Sequence, residues 1–259
     1  LKNTKSYCMF TSLRRAIGRA LRYRPLPDTA SVRAAIEAAS VPGLPYCTPD
    51  EGDLIYSAIR RGKFTRCLET GFHTGSTALY MCAAIAGDDG EAGEAEDGES
   101  DASVVSICID DDESIQRGVN LLEKLGVGGH HKLIRANSNK VLAEMFLAGE
   151  RFDFIFIDGW KTFDHLAYEI YLYNQMLEKG GIIVFDDSWL PSIQKIIILL
   201  QRFYGYRELD YAQFNQSKRL RLWHILTMRS FRRPYRGVEK MLDTSEQAPI
   251  QDWTFHRKI

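Results

Sequence analysis

The sequence predicts a doubly wound α/β fold, in which a mostly parallel seven-stranded sheet carries helices on both faces and ends in an antiparallel C-terminal hairpin. Three observations support this fold. Short apolar segments alternate five times with helical segments between residues 65 and 203. These apolar segments are hydrophobic along nearly their whole length, as strands covered on both faces are. Two later segments, Tyr206 to Asp210 and Leu220 to Met228, are joined by a polar turn, which predicts the hairpin.

The elements follow from local signals along the chain. A helix begins after Thr48 and runs to about Arg61, because Thr48 can cap it, Pro49 suits its first position and Glu51 can bond back to its start. The repeats then follow, each with a strand before its helix. The predicted strands are 65–69, 104–109, 131–135, 152–157 and 181–185, and the predicted helices are 76–86, 113–125, one that ends at 146, 163–177 and 192–203.

The composition is that of one globular domain, or of one domain with a small appendage. The 259 residues are 45% hydrophobic and 11% aromatic, and this content can bury a core, which excludes a disordered chain. The longest apolar runs, such as Ile196 to Leu200, fall far short of the ~18 residues of a membrane span. Five cysteines without a CxxC pair, and no secretory signal, indicate a reducing compartment, so we expect a cytoplasmic location and no thiolate metal site.

Charge is strongly segregated along the chain. Residues 88–101 carry eight acids among Gly, Ala and Ser, which predicts a mobile, solvated insertion. The first 27 residues carry seven bases and no acid, with Leu13, Ile17 and Leu21 at helical spacing. This segment can be an organellar transit peptide, a helix for an anionic surface, or an amphipathic helix packed on the domain. The predicted divisions are a basic helical segment at 1–45, a domain at 46–230 with the acidic insertion at 87–102, and a C-terminal extension at 231–259.

A second basic stretch, Lys218 to Arg236, raises the question of nucleic acid binding. Within it, one alternating face carries Leu220, Leu222, His224 and Leu226. This pattern favours a strand whose charges face solvent over a nucleic acid interface.

The turn after the first strand is the first candidate binding site, because ligands of such sheets lie beyond the carboxyl ends of the strands. The turn from Glu69 to Thr77 contains neither the dinucleotide fingerprint nor a P-loop. It offers an acid at the strand end, two glycines (Gly71 and Gly75) that let the backbone approach a ligand, and hydroxyls at a helix N-terminus that can receive a carboxylate. His73 lies in the same turn and is a candidate ligand contact. An ordinary strand-to-helix turn would also explain these residues.

The fourth and fifth predicted strands both end in aspartate. Asp158 and Asp186 should project from the same edge of neighbouring strands about 4.8 Å apart, and Asp187 adds a third carboxylate. Clustered carboxylates repel one another unless they are neutralised, and oxygen ligands suit Mg²⁺. We therefore predict a divalent metal site. In the alternative, Asp158 belongs to the turn before Gly159, and Asp187 or Ser188 caps the next helix.

Three segments together resemble the class I S-adenosylmethionine-dependent methyltransferases. They are 68–77, 152–161 and 177–187. More narrowly, they resemble the small-molecule O-methyltransferases related to catechol O-methyltransferase and the macrocin-type sugar enzymes. The resemblance covers about residues 45 to 230 and implies a Rossmann-like methyltransferase fold that binds S-adenosylmethionine.

The resemblance also implies site residues. Glu69 and Gly71 would line the cofactor, and Thr77 would meet its methionyl carboxylate. Asn137, Ser138 and Trp160 match adenine-contacting positions, although Trp160 could instead be a core aromatic. Asp158, Asp186 and Asp187 match metal ligands, where relatives carry Asn at the last position.

This sequence departs from the family at one position, that of the acid that holds the ribose hydroxyls of the cofactor. Its usual position is occupied by Cys108, and Asp110 follows two residues later. Either Asp110 takes over through a shifted turn, or ribose binding is weaker.

Lys161 is the candidate catalytic residue. It occupies a position where catechol-type relatives carry Lys and others carry His. A free lysine is a poor base at neutral pH, but a metal-bound hydroxyl has a lowered pKa, and Lys161 need only accept a loosened proton. A lysine that simply faces solvent is the alternative.

The sequence therefore predicts an O-methyltransferase that uses S-adenosylmethionine and a divalent cation on a small hydroxylated acceptor. The alternatives are a binding module that keeps the fold without catalysis, and a methyltransferase of a macromolecule. The remaining histidines, His165 among them, are assigned to surface or packing positions, and a homo-oligomer is left open.

Overall fold

The computed structural model describes residues 25–87, 103–110, 112–209 and 235–247. These residues form a seven-stranded sheet in the order β3-β2-β1-β4-β5-β7-β6. The strands are β1 (Arg66–Thr70), β2 (Ser103–Cys108), β3 (His131–Arg135), β4 (Phe152–Ile157), β5 (Leu177–Phe185), β6 (Tyr206–Glu208) and β7 (Arg236–Lys240). The helices are α1 (Ala30–Ala39), α2 (Pro49–Gly62), α3 (Ser76–Ala86), α4 (Glu113–Lys124), α5 (Ser138–Leu147), α6 (Phe163–Met176) and α7 (Pro191–Phe203).

The predicted fold class is confirmed. Strands β1 to β5 pair with one another in parallel, and β7 is antiparallel to both β5 and β6. The predicted strand and helix boundaries agree with the structure to within one residue except at β5 and at β6, which ends at Glu208 and not at Asp210. At β5, α6 ends at Met176 and the strand begins at Leu177, because Leu177 already pairs with Phe152 before a register shift in the ladder.

In the described part of the chain, β6 pairs with β7, a strand that the sequence analysis did not predict. Residues 236–240 pair with Tyr206–Glu208 and also lie against β5, so the sheet extends past residue 230, where we had placed the end of the domain. The predicted strand at 220–228 lies outside the described residues, as do the acidic insertion from residue 88 to residue 102 and the basic segment up to residue 24.

Two apolar layers cover the sheet. Alternate strand residues such as Phe154 and Phe156 pack against α1 to α4, while Ile155 and Ile157 pack against α5 to α7. This arrangement buries both faces and leaves the carboxyl ends of the parallel strands as the edge where polar residues can collect. No helix in the described part of the chain has the length and apolarity that a membrane span needs.

The sequence predicts two capping contacts at the start of α2, and the structure contains one of them. The backbone N–H of Thr48 donates to the carboxyl of Glu51, but the side chain of Thr48 makes no cap hydrogen bond. Glu51 is half-buried, and desolvation raises its pKa, as do the nearby carboxyls of Asp186 and Asp158. The first turn of α2 therefore reaches the predicted metal site, which the capping pattern alone could not show.

Candidate functional site

A cavity of about 750 Å³ opens at the carboxyl ends of β1, β2, β3 and β4. Ten of the predicted site residues line it: Gly71, His73, Asp110, Asn137, Ser138, Asp158, Trp160, Lys161, Asp186 and Asp187. Three other predicted site residues, Glu69, Gly75 and Thr77, do not line it. Residues that the sequence analysis did not single out complete the wall, notably Pro45, Thr70, Ile109 and His165.

The two glycines of the β1 turn serve contacts between backbone segments. Gly71 has φ +98°, and a Cβ there would lie 2.7 Å from the carbonyl oxygen of Asp158. Gly75 has φ +68°, and its Cβ would meet the Phe72 ring and Cα of Gly118 on α4 at 2.7 and 2.9 Å. These glycines allow close approach to the end of β4 and to α4, and Gly71 also lines the cavity, where its predicted approach to a ligand stays a prediction.

The hydroxyls of the same turn hold the segment before α2. Thr74 Oγ1 donates to the carbonyl of Pro45 at 2.9 Å, and Ser76 Oγ accepts from the N–H of Cys47 at 2.8 Å. Pro45 is thereby fixed on the cavity wall. Thr77 is buried at the N-terminal turn of α3.

Glu69 lies buried behind the cavity in a chain of polar contacts. Ser106 Oγ donates to its Oε2 at 2.5 Å, and the His131 Nε2 is 2.9 Å from Ser106 Oγ. Burial raises the pKa of Glu69 to about 8, against the opposing effect of the Ser106 hydrogen bond. For His131, burial disfavours the positive charge and lowers the pKa to about 4. The His131 ring stacks on the ring of Phe72. The predicted packing role of His131 agrees with this position.

Three carboxylates converge at one end of the cavity. β4 and β5 are neighbours, and Asp158 and Asp186 follow directly on their ends. One carboxylate oxygen from each of Asp158, Asp186 and Asp187 lies within 4.8 Å of the others. The alternative in which Asp187 or Ser188 caps α7 is wrong, because the cap position is Leu190.

Lys161 lies among these carboxylates. Its Nζ is 2.6 Å from Asp158 Oδ1, 2.7 Å from Asp187 Oδ2 and 3.2 Å from Asp186 Oδ2. Burial lowers the pKa of Lys161, but the carboxylates outweigh it and the net shift is upward. Burial and the charge of Asp186 raise the pKa of Asp158 to about 7, although Lys161 opposes this. The solvent-facing alternative for Lys161 is wrong.

The backbone at this end is held in an uncommon conformation. Asp187 has φ +48° and His73, across the cavity, has φ +41°; only a few per cent of residues other than glycine adopt such angles. The Asp187 carboxylate is held by Lys161 and by Nε1 of Trp189, 3.1 Å from Oδ1. These two contacts hold the Asp187 side chain in the acidic cluster despite its uncommon backbone angle.

Two tryptophans flank the acidic end. Trp160 is 69% exposed, so the core alternative for it is wrong. Trp189 is 44% exposed, while Tyr211, its proposed partner in an aromatic wall, lies outside the described residues.

The end of β2 brings Cys108 and Asp110 together. Both line the cavity, and Cys108 Sγ donates to Asp110 Oδ2 at 3.6 Å. The carboxylate of Asp110 therefore lies beside Cys108, and its role in holding the ribose stays a prediction.

The opposite end of the cavity contains Asn137, Ser138 and His165. Asn137 caps α5, with Oδ1 accepting from the N–H of Asn139 at 2.9 Å. His165, which the sequence analysis assigned to surface or packing, belongs to the cavity wall. Its spacing of four residues from Glu169 on α6 is the signal that could have identified it, because such residues share a helix face.

Comparison with known proteins agrees with this architecture. Residues 68–188 match a family model described as a methyltransferase domain. No curated protein matches the chain. The O-methyltransferase TomG from Streptomyces achromogenes, solved with S-adenosylmethionine, is 15% identical with a TM-score of 0.54, over 76% of this chain and 87% of that one.

Two further structures share the fold. The O-methyltransferase from Bacillus cereus, solved with S-adenosylhomocysteine, is 14% identical with a TM-score of 0.55, over 76% of this chain and 89% of that one. The methyltransferase PaMTH1 from Podospora anserina, bound to S-adenosylhomocysteine, is 16% identical with a TM-score of 0.52, over 93% and 98% of the two chains. Residues 68–188 thus match a methyltransferase domain, and the chain has the fold of methyltransferases solved with S-adenosylmethionine or S-adenosylhomocysteine.

Proposed function

We propose that this enzyme transfers the methyl group of S-adenosylmethionine to a hydroxyl oxygen of a small molecule, assisted by a divalent cation. The observation that carries the proposal is the cluster of Asp158, Asp186 and Asp187 at one end of the cavity that would hold the cofactor. The O-methyltransferases TomG and that of Bacillus cereus share the fold and support an oxygen acceptor.

The cavity fits the proposed cofactor. Ligand pockets of drug-sized molecules occupy roughly 300–1,000 Å³, and this cavity lies within that range. Nδ1 of His73 is buried without a hydrogen-bond partner among the described residues, so it is available to a ligand. Gly71, Asp110, Asn137, Ser138 and Trp160 supply the other proposed cofactor contacts. Glu69, Gly75 and Thr77 do not line the cavity, so they would support the cofactor site without contacting the cofactor.

The acidic cluster fits a divalent cation. Three carboxylates surround a single ammonium group, and the raised pKa of Asp158 reflects this excess of negative charge together with burial. Carboxylate oxygens are the ligands that Mg²⁺ prefers, and Asp158, Asp186 and Asp187 would hold it. When bound, such a cation lowers the pKa of a hydroxyl group that it contacts.

The chain's own residues would contribute orientation and charge. The residues that line the cavity, Pro45 and Trp160 among them, would hold the methyl donor and the methyl acceptor in line. This removes orientational entropy from a reaction between two molecules. The raised pKa of Lys161 keeps a proton on Nζ in the cation-free arrangement, where the ammonium neutralises the carboxylates. Lys161 would serve as a base only when another positive charge takes the place of its ammonium group among the three carboxylates.

Calorimetry and methyl-transfer assays test this function. We expect the native protein to bind S-adenosylhomocysteine and Mn²⁺, and to transfer labelled methyl groups to members of a panel of small hydroxylated compounds. Asp186→Ala should weaken Mn²⁺ binding at least 10-fold and abolish metal-stimulated transfer. Glu144→Ala, an exposed acid on α5, is the matched control and should change neither.

Different results would separate the parts of the proposal. Failure to bind S-adenosylhomocysteine would overturn the cofactor assignment, and full activity in excess EDTA would overturn the metal role. Labelled methyl groups found in RNA or protein instead of small molecules would favour a macromolecular acceptor. A cytoplasmic location and a homo-oligomer stay predictions.

A further inference from the structure

Two buried hydroxyl groups, those of Thr74 and Ser76, lie between the turn after β1 and the segment that precedes α2. Each of the two residues is 3% exposed. Thr74 Oγ1 donates to the carbonyl oxygen of Pro45 at 2.9 Å, and Ser76 Oγ accepts from the N–H of Cys47 at 2.8 Å. The two hydroxyl oxygens are 3.3 Å apart. The pair therefore joins residues 45–47 to a turn that lies 29 positions later in the chain.

The direction of these hydrogen bonds follows from the number of hydrogens. Each hydroxyl group has a single hydrogen, and a carbonyl oxygen only accepts. Because Thr74 gives its hydrogen to Pro45, Ser76 must be the donor in the contact between the two hydroxyls. The bonds then run from the N–H of Cys47 through Ser76 and Thr74 to the carbonyl of Pro45, and they close a ring on residues 45–47. Hydrogen bonds in such a chain polarise one another, so each of them depends on the others.

The turn that carries the two hydroxyls is a firm support for this ring. Gly75, between them, has φ +68°, and a Cβ there would be 2.7 Å from the ring of Phe72 and 2.9 Å from Cα of Gly118 on α4. The N–H of Gly75 also donates to the carbonyl of Phe72 at 2.8 Å. Because the turn is packed closely against α4, the ring holds residues 45–47 in the place that the turn sets.

The segment held in this way belongs to the wall of the cavity. Pro45 lines the cavity, as do Gly71 and His73 of the turn. On the side away from the turn, the Tyr46 hydroxyl accepts from the N–H of Val41 and donates to the carbonyl of Ala39, both at 3.2 Å. The segment is therefore tied to the end of α1 on one side and to the turn on the other. Loss of the ring would leave only the tie to α1 and would let Pro45 move away from a bound ligand.

We propose that Thr74 and Ser76 are positioning residues that fasten the Pro45 wall beside the bound cofactor, and so set the rate at which the cofactor leaves. The inference rests on the proposed cofactor site and adds the two residues that hold its wall. A bound ligand leaves faster when a wall residue can swing away, whereas entry into an open cavity changes little. We therefore expect the effect of these hydroxyls in the dissociation rate, where most affinity differences among variants of one site are found.

Surface plasmon resonance with the immobilised protein tests this role, because it measures the association and dissociation rates of S-adenosylhomocysteine separately. Thr74→Val removes the hydroxyl group with little change of shape. It should raise the dissociation rate about 5-fold, the factor that the loss of one typical hydrogen bond gives, and should leave the association rate within about 2-fold of the native value. Ser76→Ala should act similarly. Because both hydroxyls belong to one ring, the double variant should dissociate no faster than the faster single variant.

Two further variants separate the role of the hydroxyls from a loss of stability. Thr74→Ser keeps a hydroxyl group and should keep the native dissociation rate. Ser40→Ala is the matched control, since Ser40 Oγ also donates to a backbone carbonyl, that of Glu37 at 2.9 Å, but at the exposed end of α1. It should show native rates. Partial unfolding of a variant would lower the amount of ligand bound without changing the dissociation rate of the ligand that is bound.

The outcomes distinguish this inference from the proposed function. A native dissociation rate in either Thr74→Val or Ser76→Ala, or effects that add fully in the double variant, would overturn the inference while the native protein still binds S-adenosylhomocysteine. Failure of the native protein to bind this compound would overturn the proposed function itself. If Thr74→Val does not fold, the dissociation rate of Ser76→Ala decides alone.

Discussion

Gly71 lies directly against the backbone of Asp158, so that a Cβ on Gly71 would be 2.7 Å from the Asp158 carbonyl oxygen. The N–H of Asp158 also donates to the carbonyl of Thr70 at 2.9 Å. The turn proposed for the cofactor and the strand end proposed for the metal are thus in contact through their backbones. A change in one must move the other.

Gly71→Ala should therefore damage both parts of the site. The backbone at residue 71 has φ +98°, which strains any side chain, and the contact with Asp158 cannot relax by a rotamer change. We expect a loss of about 2–4 kcal/mol in the free energy of unfolding, together with weaker binding of both S-adenosylhomocysteine and Mn²⁺. Denaturant unfolding and calorimetry measure these effects.

Gly43→Ala separates backbone strain from the contact. Gly43 has a similar φ of +92°, but an added Cβ would meet nothing within 4 Å. The control should lose only about 1 kcal/mol from strain and keep native ligand binding. Equal losses in the two variants would show that the Gly71–Asp158 contact has no separate role.

Glu69 should make the protein less stable as the pH rises. Burial raises its pKa to about 8 from an ordinary value near 4.5. Between these values the folded state holds a proton that the unfolded state has lost, so the free energy of unfolding falls with increasing pH and the loss is complete above pH 8. Glu69→Gln should remove this dependence and stabilise the protein at pH 9 by up to about 5 kcal/mol.

Denaturant unfolding between pH 6.5 and pH 9 measures this effect. Below pH 6.5, the lowered pKa of His131 acts in the opposite direction, so that range is avoided. Glu150→Gln, an exposed acid paired with Arg66, is the control and should keep the native pH dependence. A Glu69→Gln protein with the native slope would contradict the assignment.

Lys161→Met should make the acidic cluster dependent on an added cation. Removal of the ammonium leaves three carboxylates without their nearest positive charge, and because these groups are partly exposed we expect a loss of about 2 kcal/mol in EDTA. This corresponds to a Tm lower by roughly 5 °C. Since Nζ no longer competes for the carboxylates, Mg²⁺ should restore the Tm and bind more tightly than to the native protein.

Thermal unfolding with and without Mg²⁺ checks this expectation. Lys195→Met, a change on the exposed side of α7, is the control and should show a native Tm and a native response to Mg²⁺. Weaker Mg²⁺ binding by Lys161→Met would indicate that the lysine supports the metal site instead of competing with it.

The sequence predicted the fold closely because its signals are local. Strand and helix boundaries depend on runs of apolar residues and on turn residues such as those between Glu69 and Thr77. The hairpin was harder to predict, because the pairing of Tyr206–Glu208 with Arg236–Lys240 joins segments far apart in the chain. His165 was missed for a similar reason, since its place in the cavity wall depends on how α6 packs beside the N-terminus of α5.

The sequence by itself determined the order of elements and the meeting of Asp158 with Asp186, because the carboxyl ends of neighbouring parallel strands share one edge. Only the tertiary structure decided that Lys161 lies among the carboxylates and that Gly71 meets the Asp158 backbone. These contacts depend on how helices and turns pack across the sheet, and packing distances of a few tenths of an ångström are not encoded in any local pattern of residues.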